Sequence, residues 1–85
     1  MNTNDINLAV NQYVHLLWWT DEIEKGIKTE FGEDVYSLIY EIYLFASHDD
    51  LTAYNEVLNK MKMQYPFLDH QVATKITNMA AYFWK

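Results

Sequence analysis

Residues 32–47, with the sequence GEDVYSLIYEIYLFAS, decide the fold class of this chain. Gly32 suits the left-handed turn that ends a helix, and the two acids after it suit the positive end of a new helix. The following residues are apolar on nearly all sides of a helix. Tyrosine and isoleucine also favour strands, but strict alternation is missing and no other segment offers a matching strand. We therefore predict an all-α protein in which residues 33–47 form the most buried helix, or one that meets a partner on one side.

The segment before this helix, residues 4–31, also has helical spacing of its apolar side chains. Thr3 or Asn4 can cap its start, because their side chains accept hydrogen bonds from the free amides of a first turn. The segment is longer than a usual globular helix, and Thr20 can cap a second part, so a bend or break near Thr20 is compatible with the pattern. Gly26 weakens the segment by roughly 1 kcal/mol relative to alanine but does not forbid a helix.

Two further helices are expected after residue 50. The third covers about residues 51–64 and is stopped by Pro66, whose ring disfavours helical geometry in the residue before it. Asp69 is expected to cap the fourth. Glycine and proline are scarce, with two and one in the chain, so turns are few. The expected fold is a small antiparallel four-helix bundle with a long first helix, forming a single domain over residues 1–85.

Composition excludes several classes of function. The chain has 85 residues, 51% of them hydrophobic, which is too apolar for intrinsic disorder. Twelve acids and six lysines give a net charge of −6, which argues against direct binding to nucleic acid or to an anionic membrane. Without cysteine, disulfides and thiolate metal sites are excluded. The charge is also uneven, since residues 1–50 carry −8 and residues 51–85 carry +2. We interpret this asymmetry as an acidic interaction face, with ordinary solvated helix surfaces as the alternative.

No pattern of catalytic or cofactor-binding residues is present. Of the two serines, Ser37 lies within the tyrosine-rich helix and Ser47 is interpreted as a turn residue, so neither is a candidate nucleophile. No glycine-rich phosphate loop occurs. The dense set His48-Asp49-Asp50 is interpreted as a capping turn, because adjacent turn residues rarely converge on one ion. We therefore predict no enzyme activity, no cofactor and no metal. The chain shows no secretory signal or membrane span, so a cytoplasmic location is expected.

Aromatic residues among the acids give the candidate binding surface. On one continuous helix, Trp18 would lie opposite the apolar face, as an interface anchor does, unless the helix bends or Trp84 covers the indole. Tyr36, Tyr40 and Tyr43 lie along one side of the following helix and form a tyrosine flank, which serves either the bundle core or a partner. The predicted partner-binding residues are Trp18, Trp19, Glu22, Glu33, Asp34, Tyr36, Tyr40 and Glu41.

Phenols among carboxylates complement a basic cleft, so the favoured function is a small acidic inhibitor of a basic protein. Immunity proteins of bacteriocins and contact-dependent toxins are of this general kind, and this chain resembles them in size, charge and class only. The expected partner is a nuclease-type toxin domain, whose cleft is basic because it binds the phosphate backbone. The alternative is a structural or assembly module such as a helical homodimer or a chaperone. A third hypothesis is a phage inhibitor that mimics nucleic acid.

Overall fold

A computed structural model describes residues 3–15, 19–47 and 54–84 of the chain. Within these ranges the chain is all-α, as predicted, with five helices and no strand. The helices are α1 (Asn4–Tyr13), α2 (Asp21–Glu30), α3 (Glu33–Ser47), α4 (Tyr54–Gln64) and α5 (His70–Trp84). The predicted first helix is two helices, so the bundle has one more helix than the four expected. The expected capping turn His48-Asp49-Asp50 and the expected start of the third helix at residue 51 lie outside the described residues.

The break falls where the sequence allowed it. α1 ends at Tyr13, and Thr20 is extended, with φ −126° and ψ 159°. The Thr20 hydroxyl oxygen accepts a hydrogen bond from the Ile23 amide at 3.2 Å, which is the predicted N-cap of α2. The cap expected at Thr3 is wrong for this residue, because Thr3 has helical dihedral angles and its side chain makes no capping hydrogen bond. A capping side chain needs the extended backbone that Thr20 has and Thr3 lacks.

The turn between α2 and α3 confirms the prediction for Gly32. Its φ is 100°, and its amide donates to the carbonyl oxygens of Ile27 and Lys28, both at 3.2 Å. This left-handed residue lets the chain reverse directly into α3. As a result α2 and α3 run antiparallel: Lys28 at the end of α2 lies over the ring of Tyr36 near the start of α3, while Trp19, just before α2, lies beside Tyr43 near the end of α3.

α3 is the central helix and packs against each of the other four. Ile39 and Ile42 are completely buried in it, and full burial of one such side chain contributes about 1.5–3 kcal/mol. The prediction that this helix is the most buried is wrong: four of its 15 residues are buried, compared with four of ten in α1, because six of its residues are exposed to solvent. The alternative, that one side of the helix meets a partner, stays a prediction. The core takes side chains from every helix: Ile6, Ala9, Val10, Ile23, Ile27, Val35, Ile39, Ile42, Ala46, Val57, Met61, Val72, Ala73, Ile76, Met79 and Ala80.

One buried polar side chain joins α1 to the connection between α4 and α5. Asn7 in α1 is only 5% exposed. Its Nδ2 donates to the Phe67 carbonyl oxygen at 3.0 Å, and its Oδ1 accepts from the Asp69 amide at 2.9 Å. Both functional ends of the amide are therefore satisfied by the backbone of the α4–α5 connection. A buried amide without these partners would be costly, so this pairing favours one placement of α1.

The contact between α1 and α2 depends on a glycine. A Cβ atom at Gly26 would meet the ring of Tyr13, with Cδ1 at 2.6 Å and Cζ at 2.9 Å. The ring also packs edge-on against Phe31, with centroids 6.4 Å apart. Gly26, which costs the helix intrinsic stability, is thus the residue that admits the Tyr13 ring against the backbone of α2.

Candidate functional site

Four aromatic rings meet between α2 and α3, and we call them the aromatic cluster: Trp19, Tyr36, Tyr40 and Tyr43. The Trp19 ring centroid lies 5.7 Å from Tyr36, 6.0 Å from Tyr40 and 5.7 Å from Tyr43. Tyr40 is also nearly parallel to Tyr36 and Tyr43, at interplanar angles of 28° and 17°. Each such pair contributes about 0.5–1.5 kcal/mol beyond area burial. The tyrosines come together because they recur every three or four residues along α3.

A chain of hydrogen bonds holds the cluster against α2. The indole Nε1 of Trp19 donates to the Tyr36 hydroxyl oxygen at 3.2 Å, and that hydroxyl donates to Glu24 Oε1 at 3.1 Å. Lys28 Nζ donates to the other carboxylate oxygen of Glu24 at 2.9 Å and lies 4.9 Å from the centroid of the Tyr36 ring. Each of the polar groups in this series of hydrogen bonds thus has a partner, which favours one arrangement of the rings.

The hydrogen bonds also shift the ionisation of these groups. Hydrogen bonds from Lys28 and Tyr36 lower the pKa of the Glu24 carboxyl. The bond to Glu24 raises the pKa of the Lys28 ammonium. Burial, with the nearby Glu24 carboxylate contributing, raises the pKa of the Tyr36 hydroxyl. Each shift favours the state these groups already hold at neutral pH, so the site presents a charged Glu24–Lys28 pair and a neutral phenol.

Tyr40 is the exposed member of the cluster. Trp19, Tyr36 and Tyr43 pack partly buried against the core, whereas Tyr40 is 38% exposed and rests on the other three rings. Leu44, one turn further along α3, is 36% exposed. An aromatic ring supported by rigid neighbours and open to solvent is typical of an interface anchor.

Only some of the predicted site residues meet in the aromatic cluster. Trp19, Tyr36 and Tyr40 meet in the cluster, and Glu33 lies close enough to Lys28 to raise its pKa. Asp34 and Glu41 are exposed, but they lie about 140–160° round α3 from Tyr36. In agreement with this, burial and then the negative charge of Glu41 raise the pKa of the Tyr65 hydroxyl, which follows the last residue of α4.

The remaining two predicted residues fall elsewhere. Glu22 lines a cleft of about 390 Å³ on the other side of α2, together with Gln12, Tyr13, His15 and Thr20. Trp18 lies outside the described residues. The projection that set Trp18 on the polar face assumed an unbroken helix, and α1 ends at Tyr13.

The acidic charge is concentrated on the helices that carry the cluster. Residues 19–47 hold seven acids and two lysines, a net charge of −5. Residues 54–84 hold two acids and three lysines, a net charge of +1. Because α2 and α3 are packed side by side, the uneven charge of the sequence corresponds to an acidic pair of helices in space.

Sequence reasoning missed Glu24 and Lys28 as members of the site. A signal for them exists, since a glutamate four residues before a lysine forms an ion pair on a helix surface. Their contact with Tyr36 could not be found in this way, because it joins two helices. Tyr43 was recognised as part of the tyrosine flank but not as a site residue, and it contacts Trp19 as closely as Tyr36 does.

Other kinds of site find little support in the described part of the chain. No group of three or more histidines, aspartates and glutamates there could hold a metal ion. None of the helices in ranges 3–15, 19–47 and 54–84 is long and apolar enough to cross a membrane. His15 Nε2 lies 2.7 Å from the Gln12 carbonyl oxygen, a local contact at the end of α1. No family model matches the chain, and neither the curated proteins nor the solved structures include one with significant similarity to it.

Proposed function

We propose that this chain is a small acidic inhibitor of the immunity-protein or antitoxin type, which acts in the cytoplasm on a basic nuclease-type toxin and occludes its active-site cleft. The observation that supports this proposal is Tyr40, an exposed ring held by three others on the acidic pair α2 and α3. Rigid aromatic anchors slow the release of a partner, and a charge opposite to that of the partner speeds association.

The chemistry of the partner follows from the charge around Tyr40. Glu24 and Glu33 lie on the same side of the α2–α3 pair, and a nuclease cleft is lined by lysine and arginine because it binds phosphates. An acidic surface complements such a cleft in charge, and the solvent-facing ring of Tyr40 supplies an aromatic anchor. Lys28 does not oppose this fit, because Glu24 and Tyr36 already engage its ammonium group.

A second candidate function is a homodimer, and the exposed pair Tyr40 and Leu44 on α3 favours it. Burial of these two side chains against a second copy would remove apolar area from water. A symmetric contact on this face also brings together two copies of an acidic helix pair, and like charges oppose that contact. The charge therefore favours a basic partner over a second copy.

The test uses the protein encoded by the gene next to that of this chain, purified as its catalytic domain. We expect the chain to inhibit its nuclease activity and to bind with an affinity that falls steeply as salt rises. Glu33→Lys should weaken binding by more than about 1 kcal/mol. Glu56→Lys makes the same charge change on the exposed surface of α4 and is the matched control.

Two results would contradict the proposal. One is a neighbouring protein that neither binds the chain nor is inhibited by it. The other is a stable homodimer of the chain whose dissociation constant does not change with salt, which is the behaviour of the assembly module.

A further inference from the structure

The outward face of α3 has the spacing on which another helix packs. Of its six exposed residues, four follow one another at steps of four, three and four: Glu33, Ser37, Tyr40 and Leu44. On a helix these steps form one nearly straight stripe, and α3 is long enough, at 15 residues, to present it over about three turns. We call these four residues the α3 stripe. Alternating steps of three and four are the pattern of helix-to-helix packing, in which side chains of one helix enter holes of the other.

The stripe offers two such holes, on either side of its smallest residue. A hole on a helix surface is bounded by residues at i, i+3, i+4 and i+7. The first hole lies among Glu33, Tyr36, Ser37 and Tyr40. The second lies among Ser37, Tyr40, Glu41 and Leu44. Each hole therefore combines one carboxylate with the exposed ring of Tyr40, and Ser37, the smallest side chain of the stripe, borders both holes.

A hole of this composition fits a long basic side chain. The aliphatic part of lysine or arginine packs along a ring while the charged end reaches a carboxylate or lies over the ring face. The structure contains an internal example, because Lys28 lies 4.9 Å from the Tyr36 ring centroid while it donates to Glu24. The ring of Tyr40 is nearly parallel to that of Tyr36 and is more open to solvent.

We infer that the partner docks a basic amphipathic α-helix along the α3 stripe, with lysines or arginines at steps of three and four that enter the two holes. This inference rests on the proposed function and adds to it the secondary structure of the bound segment and its register. A second copy of this chain is a poorer occupant, because it would place its own Glu33 and Glu41 against the same acidic face.

The test fills the holes without disturbing the core. Ser37→Arg places a long cationic side chain in the centre of the α3 stripe. Thr29→Arg is the matched control: Thr29 is an exposed hydroxyl residue of α2, about 120° round that helix from the Glu24–Lys28 side, and the charge change is the same. The probes are the neighbour-encoded basic protein and an alanine-based amidated helical peptide. The peptide carries arginines at steps of three and four, and a second peptide of equal composition distributes them around the helix.

Calorimetric titration separates the possible outcomes. We expect the patterned peptide to bind and the redistributed one to bind at least about tenfold more weakly. Ser37→Arg should lower the affinity for both the patterned peptide and the basic protein by about tenfold or more, while Thr29→Arg changes it less than about twofold.

Four results would overturn the inference, and the last of them also overturns the proposed function. If Ser37→Arg and Thr29→Arg weaken binding of the basic protein equally, the docking mode is wrong while the proposed function stands. Equal binding of the two peptides would show that only charge is recognised. A dimer of the chain that Ser37→Arg converts to monomers would show that a second copy covers the stripe. Absence of binding to the basic protein itself overturns the proposed function as well.

Discussion

Replacement of Gly26 by alanine should destabilise this protein, although the same change stabilises most helices. In an ordinary helix interior, Gly→Ala contributes roughly 1 kcal/mol of stability through helix propensity. In α2 the new Cβ would lie 2.6 Å from Tyr13 Cδ1 and 2.9 Å from Cζ, well inside the contact distance of two carbon atoms. The ring has to move, and its edge-on packing with Phe31 at 6.4 Å restricts the available space.

The magnitude follows from two opposing contributions. Overpacking of a well-packed contact costs about 1–3 kcal/mol, and the helix propensity offsets roughly 1 kcal/mol of it. We therefore expect Gly26→Ala to lower the free energy of unfolding by about 1 kcal/mol. When Tyr13→Ala removes the ring, only the propensity remains, and Gly26→Ala should then raise the free energy of unfolding by about 1 kcal/mol. The two changes should couple by about 2 kcal/mol.

The assay is urea unfolding of the four proteins of this double-mutant cycle, followed by far-ultraviolet circular dichroism. A domain of this size has on the order of 5 kcal/mol of stability, so each variant should remain folded without urea. Thr29→Ala, an exposed change in the same helix, reports the effect of propensity alone. If Gly26→Ala stabilises the protein equally with and without the Tyr13 ring, the close contact is not what selects glycine, and the reasoning is refuted.

Three further predictions concern the hydrogen bonds of the described residues. Tyr36→Phe should lower the free energy of unfolding by about 1–2 kcal/mol in urea titrations, because it removes the partner of both the Trp19 indole and Glu24; an unchanged midpoint would contradict this. Asn7→Leu should cost about 2–4 kcal/mol in the same assay, since it leaves two backbone groups of the α4–α5 connection unpaired; a loss below that of an exposed Asn55→Leu control would refute the role of the amide. The lowered pKa of Glu24 contributes stability above its ordinary value of 4.5 that is lost as pH falls through the lower folded value. Glu24→Gln should therefore flatten the fall in thermal midpoint between about pH 5 and pH 3, and identical slopes would exclude that contribution.

The helices could be predicted where their ends are encoded locally. Three local features illustrate this: the left-handed conformation of Gly32, the start of α3 at Glu33 and the cap at Thr20. Each depends on residues within about one helical turn. The number of helices in the first segment was left open because Thr20 signals a possible start and nothing next to Tyr13 signals an end. Valine is not a residue type that marks the end of a helix, so the extended backbone of Val14 depends on the tertiary structure.

The candidate site could be predicted only in part. The tyrosines recur along one helix, so the sequence shows that they share a side of α3. Glu22, Asp34 and Glu41 were grouped with them by closeness in sequence and by charge. In the structure Glu22 lies on another side of α2, and Asp34 and Glu41 lie about 140–160° round α3 from Tyr36, because each residue of a helix points about 100° away from the one before it. Glu41 is a neighbour of Ser37 and Leu44 in the α3 stripe rather than of the aromatic cluster.

The fold class, the end of α2, the start of α3 and the acidic charge of this pair of helices follow from the amino-acid sequence alone. These properties depend on capping, on helical spacing and on composition, which act within a few residues. The contacts between distant residues depend on the tertiary structure: Asn7 with the α4–α5 connection, Tyr13 with Gly26, and Trp19 with Tyr36 and Tyr40. Such contacts depend on how whole helices pack against one another, and packing depends on the shapes of all the side chains in the core at once.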